Sequence, residues 1–267
     1  AFMHTLLRRQ VAALGLRRLL AVLAMVLGVS AGTAIAADAA PAKTRILIVT
    51  GIDYPGHLWR QTAPALAAGL RQDTRLEVFT VEDPRFLDSS ALTNYQAVIL
   101  HFQNWETTGP GENARNNLLE YVKNGGGLVS VHFACGAWHG EWPEFANIIG
   151  RVWDPKLRGH DPYGRFRVRI ADPVHPVTKG LESFETTDEL YTCLTGEAPI
   201  HVLADAQSTV DKKDYPMAFV KDYGHGRVFL TTLGHDVTGI TNSAVPALLR
   251  RGCAWAAGLP PVPDSPP

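Results

Sequence analysis

Histidine is the residue type through which this chain can do the most chemistry. Four of its ten histidines directly follow a glycine, namely His57, His160, His225 and His235. A preceding glycine lets the backbone turn sharply and leaves the imidazole uncrowded. A neutral imidazole binds divalent metal ions and exchanges protons near neutral pH. These positions therefore predict either site residues or exposed turns, and the hairpin-like residues 223–226 favour a turn at His225.

Another histidine, His132, lies within the glycine-rich stretch at residues 125–136. Three glycines there precede an apolar, partly β-branched run, which is typical of a buried strand between sharp turns. His132 follows this strand, His57 follows the first predicted strand, and His235 follows a late one. Because open α/β sheets bind ligands at the carboxyl ends of their strands, we expect these three histidines to converge. His101 also ends a strand, but its apolar neighbours favour a buried structural role.

Carboxylates lie close to these histidines in the sequence. Asp161 follows His160, and Asp236 follows His235. Imidazoles and carboxylates together bind divalent metal ions or share acid and base roles, and no compact zinc-binding spacing decides between these alternatives. Residues 188–191 add Glu189 and Tyr191, where an acid beside an aromatic ring can hold a sugar, although a solvated turn is the alternative.

The three cysteines, Cys135, Cys193 and Cys253, form no metal-binding motif. A thiol after a strand can be a nucleophile that a helix N-terminus and a histidine activate. Cys135 falls three residues beyond His132, so a buried thiol or a disulfide partner is the preferred interpretation. In an oxidising compartment the set allows one disulfide and one free thiol, with the pairing open.

Alternating strands and helices must position these side chains, and they predict an α/β fold built on one core. One domain is expected over residues 45–258. Strands are predicted at residues 45–50, 76–81, 97–102, 128–131, 166–170, 201–204, 217–220 and 228–232. Helices are predicted at residues 58–71, 113–123, 144–149 and 244–257, and residues 150–163 are expected to form a loop.

Composition limits the partners. The formal net charge is -1 and the pI is about 6.9, so the basic field typical of nucleic-acid binding is missing and a small molecule is the expected partner.

The N-terminal residues 1–36 run from basic to apolar to small residues. This order predicts a secretory signal cleaved after Ala36, with an uncleaved membrane anchor as the alternative. Export to the periplasm or medium would follow, without stable membrane insertion. Residues 37–44 read as a linker, and residues 259–267 as a disordered tail.

An ordered set of motifs resembles the ThuA-like, or trehalose utilisation, family. The resemblance covers nearly all of residues 45–258. The motifs are Gly56-His57, residues 125–132, Gly159-His160, residues 172–177, residues 188–191, and residues 226–229 through Gly234-His235-Asp236.

The resemblance implies a class I glutamine amidotransferase-like fold, which is a flavodoxin-like three-layer sandwich with a mainly parallel central sheet. It also implies a role in carbohydrate metabolism, on glycosides or their keto derivatives. By this likeness His132 falls near the position of the amidotransferase nucleophile, and His235 near the late histidine. The missing thiol argues against glutamine hydrolysis. His175 belongs to a family motif too, but its flanking prolines favour a structural turn.

The sequence thus predicts an exported, sugar-directed enzyme that uses acid and base or metal-assisted chemistry. Elimination, isomerisation and hydrolysis remain open, no nucleotide cofactor is expected, and the oligomeric state is undetermined. A carbohydrate-binding protein without catalysis is one alternative, and a hydrolase using Cys135 is another. The predicted catalytic residues are His132, Glu189 and His235. The predicted substrate-binding residues are His57, His160, Asp161, Tyr191 and Asp236. A possible divalent metal ion would be held by His57, His132 and His235.

Overall fold

The computed structural model describes residues 42–242 and 244–260. The predicted signal and most of the predicted linker lie outside this part, as does all of the predicted tail except residues 259 and 260. The fold below is that of the described residues, which belong to the unit that begins at residue 42. No helix among the described residues combines the length and apolar character needed to cross a membrane.

Nine strands form one sheet in the described part of the chain, in the order β2-β1-β3-β4-β9-β8-β7-β5-β6. The strands are β1 (Thr44–Val49), β2 (Leu76–Val81), β3 (Ala97–Leu100), β4 (Gly127–Val131), β5 (Gly164–Ile170), β6 (Phe184–Asp188), β7 (His201–Gln207), β8 (Asp214–Tyr223) and β9 (Gly226–Thr231). The helices are α1 (Trp59–Leu70), α2 (Glu112–Lys123), α3 (Glu144–Ile149), α4 (Val237–Thr241) and α5 (Val245–Ala256). The predicted α/β class is confirmed.

One half of the sheet is parallel. β2, β1, β3, β4 and β9 pair in parallel, so their carboxyl ends meet at one edge. The apolar runs that predicted the inner strands β1, β3, β4 and β9 are buried on both faces, as parallel sheets require, whereas the edge strand β2 is partly exposed. Alternate residues belong to separate apolar clusters, with Ile46 and Ile48 in one and Leu47 and Val49 in the other. Successive side chains of a strand point to opposite faces, so both faces of the sheet are covered.

The other half is antiparallel. β9, β8, β7, β5 and β6 pair in this way, so the expectation of a mainly parallel sheet holds for only one half of it. The cause is local, because a hairpin that closes between Tyr223 and Gly226 joins β8 to β9. Parallel neighbours need a long crossover instead. His225 lies in this hairpin turn, as its glycine neighbours predicted.

Two elements near the site have no counterpart in the predicted set, β6 and α4. The β6 sequence, Phe-Glu-Thr-Thr-Asp, carries almost no apolar residues, yet Phe184, Thr186 and Asp188 are buried on alternate positions. Strand prediction depends on apolar alternation, and this edge strand buries a threonine and a carboxylate instead. The five residues of α4 are too few to show helical periodicity.

Close packing of α5 against the start of β4 depends on Gly127. A Cβ there would lie 2.3 Å from the Ala256 carbonyl oxygen, which belongs to a helix backbone. We predict that Gly127→Ala lowers the free energy of unfolding by about 1–3 kcal/mol, because backbone must shift to admit the methyl group. Urea denaturation measures this. Gly69→Ala, at an open position in α1, is the matched control, with stability unchanged or raised by about 0.5 kcal/mol. Equal stability of both variants would contradict the prediction.

Candidate functional site

Three histidines converge at the carboxyl edge of the parallel strands, as predicted. His57 lies in the loop after β1, His132 directly follows β4, and His235 follows β9. The ring centroid of His57 lies 5.1 Å from that of His132 and 5.1 Å from that of His235. The ring centroids of His132 and His235 are 5.4 Å apart. One possible ligand atom from each ring lies within 4.8 Å of the other two. The histidine cluster, meaning these three residues, thus surrounds one small volume.

The backbone sets the orientation of His132. Its φ of 48° lies in the left-handed region, which is uncommon for a residue with a Cβ, and a 3₁₀ turn over His132–Gly136 follows. The Nδ1 atom lies 2.6 Å from the Thr232 carbonyl oxygen, which can only accept a hydrogen bond. Nδ1 therefore carries a proton, and Nε2 is the ring atom that faces the cluster. A strained residue held in this way is typical of a functional position.

Each histidine of the cluster has a buried nitrogen without a hydrogen-bond partner. These atoms are His57 Nδ1, His132 Nε2 and His235 Nδ1. Buried polar atoms are nearly always paired, and here only the Glu189 carboxylate approaches two of these three nitrogens, so the cluster indicates a ligand site. Burial, reinforced by the neighbouring His132 and His235, lowers the pKa of His57 to about 2. His57 is therefore neutral, which is the form of imidazole that binds a metal ion.

Glu189 closes the cluster on one side. Its Oε2 lies 3.1 Å from His235 Nδ1 and 3.4 Å from His132 Nε2, and its Oε1 lies 3.5 Å from His160 Nε2. Burial alone would raise the pKa of Glu189, but His132 and His235 hold that pKa well below its usual range. Burial would likewise lower the pKa of His235, yet Glu189 outweighs burial and raises it. The site therefore contains an ionised carboxylate between imidazoles.

Asp188 positions two members of this site. Its carboxylate is fully buried and accepts backbone N–H hydrogen bonds from Gly234 at 2.7 Å, His235 at 3.1 Å and Glu189 at 2.8 Å. A Cβ on Gly239 would lie 2.5 Å from the same carboxylate, so α4 packs directly against it. Asp188 is not among the site residues that the sequence predicted. Its anchoring role depends on distant backbone atoms that no local pattern reveals.

His160, Asp236 and Tyr163 form the rim. His160 is half-buried, and its Nδ1 donates to the Asp161 carbonyl oxygen at 2.7 Å. Asp236 caps α4 by accepting from the Gly239 N–H at 2.8 Å, and it accepts the Tyr163 hydroxyl at 2.9 Å. The Tyr163 ring lies 5.5 Å from the His235 ring. Tyr163 is exposed in a predicted loop, where sequence alone did not single it out.

Two predicted substrate-binding residues face elsewhere. The Asp161 carboxylate accepts hydrogen bonds from Ser208 Oγ at 2.9 Å and from the backbone N–H of Thr209 at 2.6 Å, so it anchors a turn. Tyr191 is only 2% exposed and packs behind His132, with ring centroids 4.2 Å apart. Tyr191 therefore supports the His132 ring by packing against it, and its own ring is not accessible to a ligand from solvent.

Two further histidines, His101 and His175, have the structural roles that the sequence favoured. His101 is fully buried, its Nδ1 lies 3.1 Å from Thr50 Oγ1, and burial together with His132 lowers its pKa to about 3. His175 accepts a hydrogen bond from the Val177 N–H within its own turn.

Cys135 lacks the environment of a nucleophile. It is fully buried in the turn after His132, and burial raises the pKa of its thiol to about 12. A nucleophilic cysteine needs access and a stabilised thiolate. Cys193 and Cys253 are free thiols as well, so the structure pairs none of the three.

Comparison with known proteins identifies the family. The sequence matches the ThuA family, described as "Trehalose utilisation", over residues 45–256. The chain belongs to this family, as the motifs predicted. No curated protein matches the chain significantly.

Solved structures share the fold. A ThuA-like protein from Parabacteroides merdae is 28% identical with a TM-score of 0.72, covering 83% of this chain and 94% of that one. A ThuA-like protein from Bacteroides uniformis is 20% identical with a TM-score of 0.66, at the same coverage of 83% and 94%. A β-galactosidase from Bacillus circulans is 13% identical with a TM-score of 0.55, over 84% of this chain and 33% of the enzyme, which shows a common fold alone. The ThuA-like neighbours fit the expected flavodoxin-like fold.

The Asp188 anchor can be tested without any ligand. We predict that Asp188→Asn lowers the free energy of unfolding by about 1–3 kcal/mol, because an amide group turned toward buried N–H donors leaves at least one unpaired. Urea denaturation measures the loss. Asp222→Asn, at an exposed position on β8, serves as the control and should match the wild type. A wild-type midpoint for Asp188→Asn would contradict the anchoring role.

Proposed function

We propose that this member of the trehalose utilisation family is a sugar-directed enzyme whose catalytic centre is a divalent metal ion in the histidine cluster, with Glu189 beside it. The observation that carries the proposal is that each of the three imidazoles offers a ligand atom within 4.8 Å of those of the other two, and that each has a buried nitrogen without a well-formed hydrogen bond. A carbohydrate-binding protein without catalysis would have no need for such a set.

The donor atoms suit a first-row divalent ion. His57 is neutral, and the hydrogen bond from His132 Nδ1 to a backbone carbonyl leaves Nε2 as the ligand atom of His132. A metal-bound histidine typically makes this second hydrogen bond, which fixes its tautomer and orientation. A set of three imidazoles leaves coordination positions for substrate, as catalytic sites do. A bound divalent ion would act as a Lewis acid toward a carbonyl or hydroxyl oxygen of the sugar.

Glu189 supplies the base. Its carboxylate lies between the cluster and His160. The protons on His132 and His235 that hold its pKa low would be lost if both rings bound a metal ion, and Glu189 would then be able to accept a proton at the centre. His160 is half-buried at the rim and can exchange that proton with solvent. The proton comes from the carbon beside the carbonyl if the substrate is a keto-sugar, or from water if a glycosidic bond is hydrolysed. Asp188 holds both Glu189 and His235 in place through their backbone N–H groups.

The substrate class follows from the family. Trehalose utilisation points to glycosides or their keto derivatives as substrates, with the reaction a lyase, isomerase or hydrolase step in carbohydrate catabolism. The burial of Cys135 opposes a thiol hydrolase.

Metal binding is the first test. We predict that chain purified without a histidine tag and stripped with chelator binds one equivalent of Co²⁺ or Zn²⁺. His57→Ala, His132→Ala and His235→Ala should each weaken binding by at least about 100-fold, since each removes a ligand. Calorimetry and the Co²⁺ absorption spectrum measure this. The matched control is His225→Ala, in the β8–β9 hairpin, which should bind as the wild type does. No stoichiometric binding by folded wild type would reject the metal centre.

Turnover is the second test. We predict that a screen of glycosides and keto-glycosides, with product identification, finds a substrate that Glu189→Gln processes about 10²–10⁴-fold more slowly, because the base is lost. Glu185→Gln, on the neighbouring strand β6 and ion-paired with Arg165, is the control and should retain full activity. Wild-type rates in Glu189→Gln would remove Glu189 from the mechanism. Sugar binding without turnover in the metal-loaded wild type would favour the carbohydrate-binding alternative.

A further inference from the structure

Three partly exposed aromatic rings form a continuous row beside the histidine cluster. Tyr54, Trp105 and Trp153 make up this row, which we call the aromatic wall. The ring centroids of Tyr54 and Trp105 are 5.6 Å apart, and those of Trp105 and Trp153 are 5.4 Å apart. One end of the wall reaches His57, 5.7 Å from Tyr54, and the other reaches His160, 6.0 Å from Trp153. The wall thus borders the proposed catalytic centre from one side to the other.

Glycines hold the two indoles in place. A Cβ on Gly136 would lie 2.6 Å from Trp105 Cζ2, and a Cβ on Gly159 would lie 1.7 Å from Trp153 Cη2. The Trp105 indole N–H also donates to the Gly136 carbonyl oxygen at 2.8 Å. Each ring therefore lies directly on backbone, and its orientation is fixed before any ligand arrives. Rigid aromatic side chains of this kind bind ligands at low entropic cost.

Open space with hydrogen-bonding groups flanks the wall. An open depression of about 620 Å³ lies on one side, where Tyr54 and His57 line it together with Asp53 and Glu106. A second depression of about 250 Å³ lies beside Trp105, Asn104 and Glu141. The larger volume falls within the range of small-molecule sites. A sugar ring needs two kinds of contact, and both are present here. The carboxylates provide acceptors for its hydroxyl groups, and the aromatic face provides an apolar surface for its C–H groups.

We propose that the aromatic wall is a subsite for a second sugar ring, so that the substrate is a disaccharide or a disaccharide derivative with its reacting ring at the histidine cluster. The class of ligand rests on the proposed function, whereas the position of the subsite rests on the wall itself. Tyr191, the aromatic residue that the sequence pattern favoured for sugar contact, is buried behind His132. The wall takes over that role with rings that solvent reaches.

Binding of two probes tests the subsite. Trehalose has two sugar rings and glucose has one, so calorimetric titration of each into the full chain separates the subsite from the centre. Trp105→Ala and Trp153→Ala should weaken trehalose binding on the order of tenfold and change glucose binding less than about twofold. Trp153→Phe should recover most of the loss, because it keeps an aromatic face. The control is Trp255→Ala, a partly exposed tryptophan on α5 that contacts Arg227 and His175.

The outcomes separate the subsite from the metal centre. Co²⁺ binding reports folding of the tryptophan variants and should equal that of the wild type. Unchanged trehalose affinity in both alanine variants overturns the subsite, as does equal affinity of wild type for trehalose and glucose. A wild type that binds Co²⁺ but not trehalose also overturns it, while the metal centre stands. Tryptophan-dependent trehalose binding without any metal binding supports the subsite and rejects the proposed chemistry.

Discussion

A buried carboxylate holds this site together. Asp188 ends the last strand of the antiparallel half, and its three acceptor bonds go to the turn after β9, on the parallel half, and to the adjacent Glu189. Removal of a carboxylate from water is costly, and burial raises the pKa of Asp188, but the three backbone donors offset part of that cost. The same contacts fix His235 and Glu189 at the mouth of the parallel strands. The two halves of the sheet therefore meet at a point where structure and proposed chemistry depend on one residue.

The mixed sheet explains how one domain brings together residues from distant parts of the sequence. The parallel strands carry His57 and His132 to a common edge, because each strand ends there before its chain turns away. Glu189 reaches the same edge from the antiparallel half, where it directly follows β6. His160 lies close by, because it forms a β-bridge with Tyr191. A purely parallel sheet would supply loops from one direction only. This one encloses its site with loops from both halves.

Much of the architecture could be predicted from the sequence, because buried parallel strands leave strong apolar signals. The convergence of His57, His132 and His235 followed from strand ends alone. Orientation could not be predicted in the same way. Asp161 and Asp188 are both acids in short polar segments, yet one anchors a turn at Ser208 and the other anchors the site, because their partners come from distant strands. Tyr191 was expected to face a ligand, but residues from distant parts of the chain pack around it and bury it. The wall tryptophans gave no sequence signal, since Tyr54, Trp105 and Trp153 come from separate parts of the chain and their rings meet only in the fold.

The atoms that orient the cluster are mostly main-chain atoms. His132 donates to the carbonyl of Thr232, His160 to that of Asp161, and Asp188 accepts only from N–H groups. Main-chain atoms are present whatever side chain occupies a position, so long as the backbone path is kept. The main-chain partners of His132 and His160 therefore place few demands on residue identity at their own positions, whereas the side chain of Asp188 is required. A change of the residues around the cluster is expected to leave the centre in place as long as the backbone path is kept.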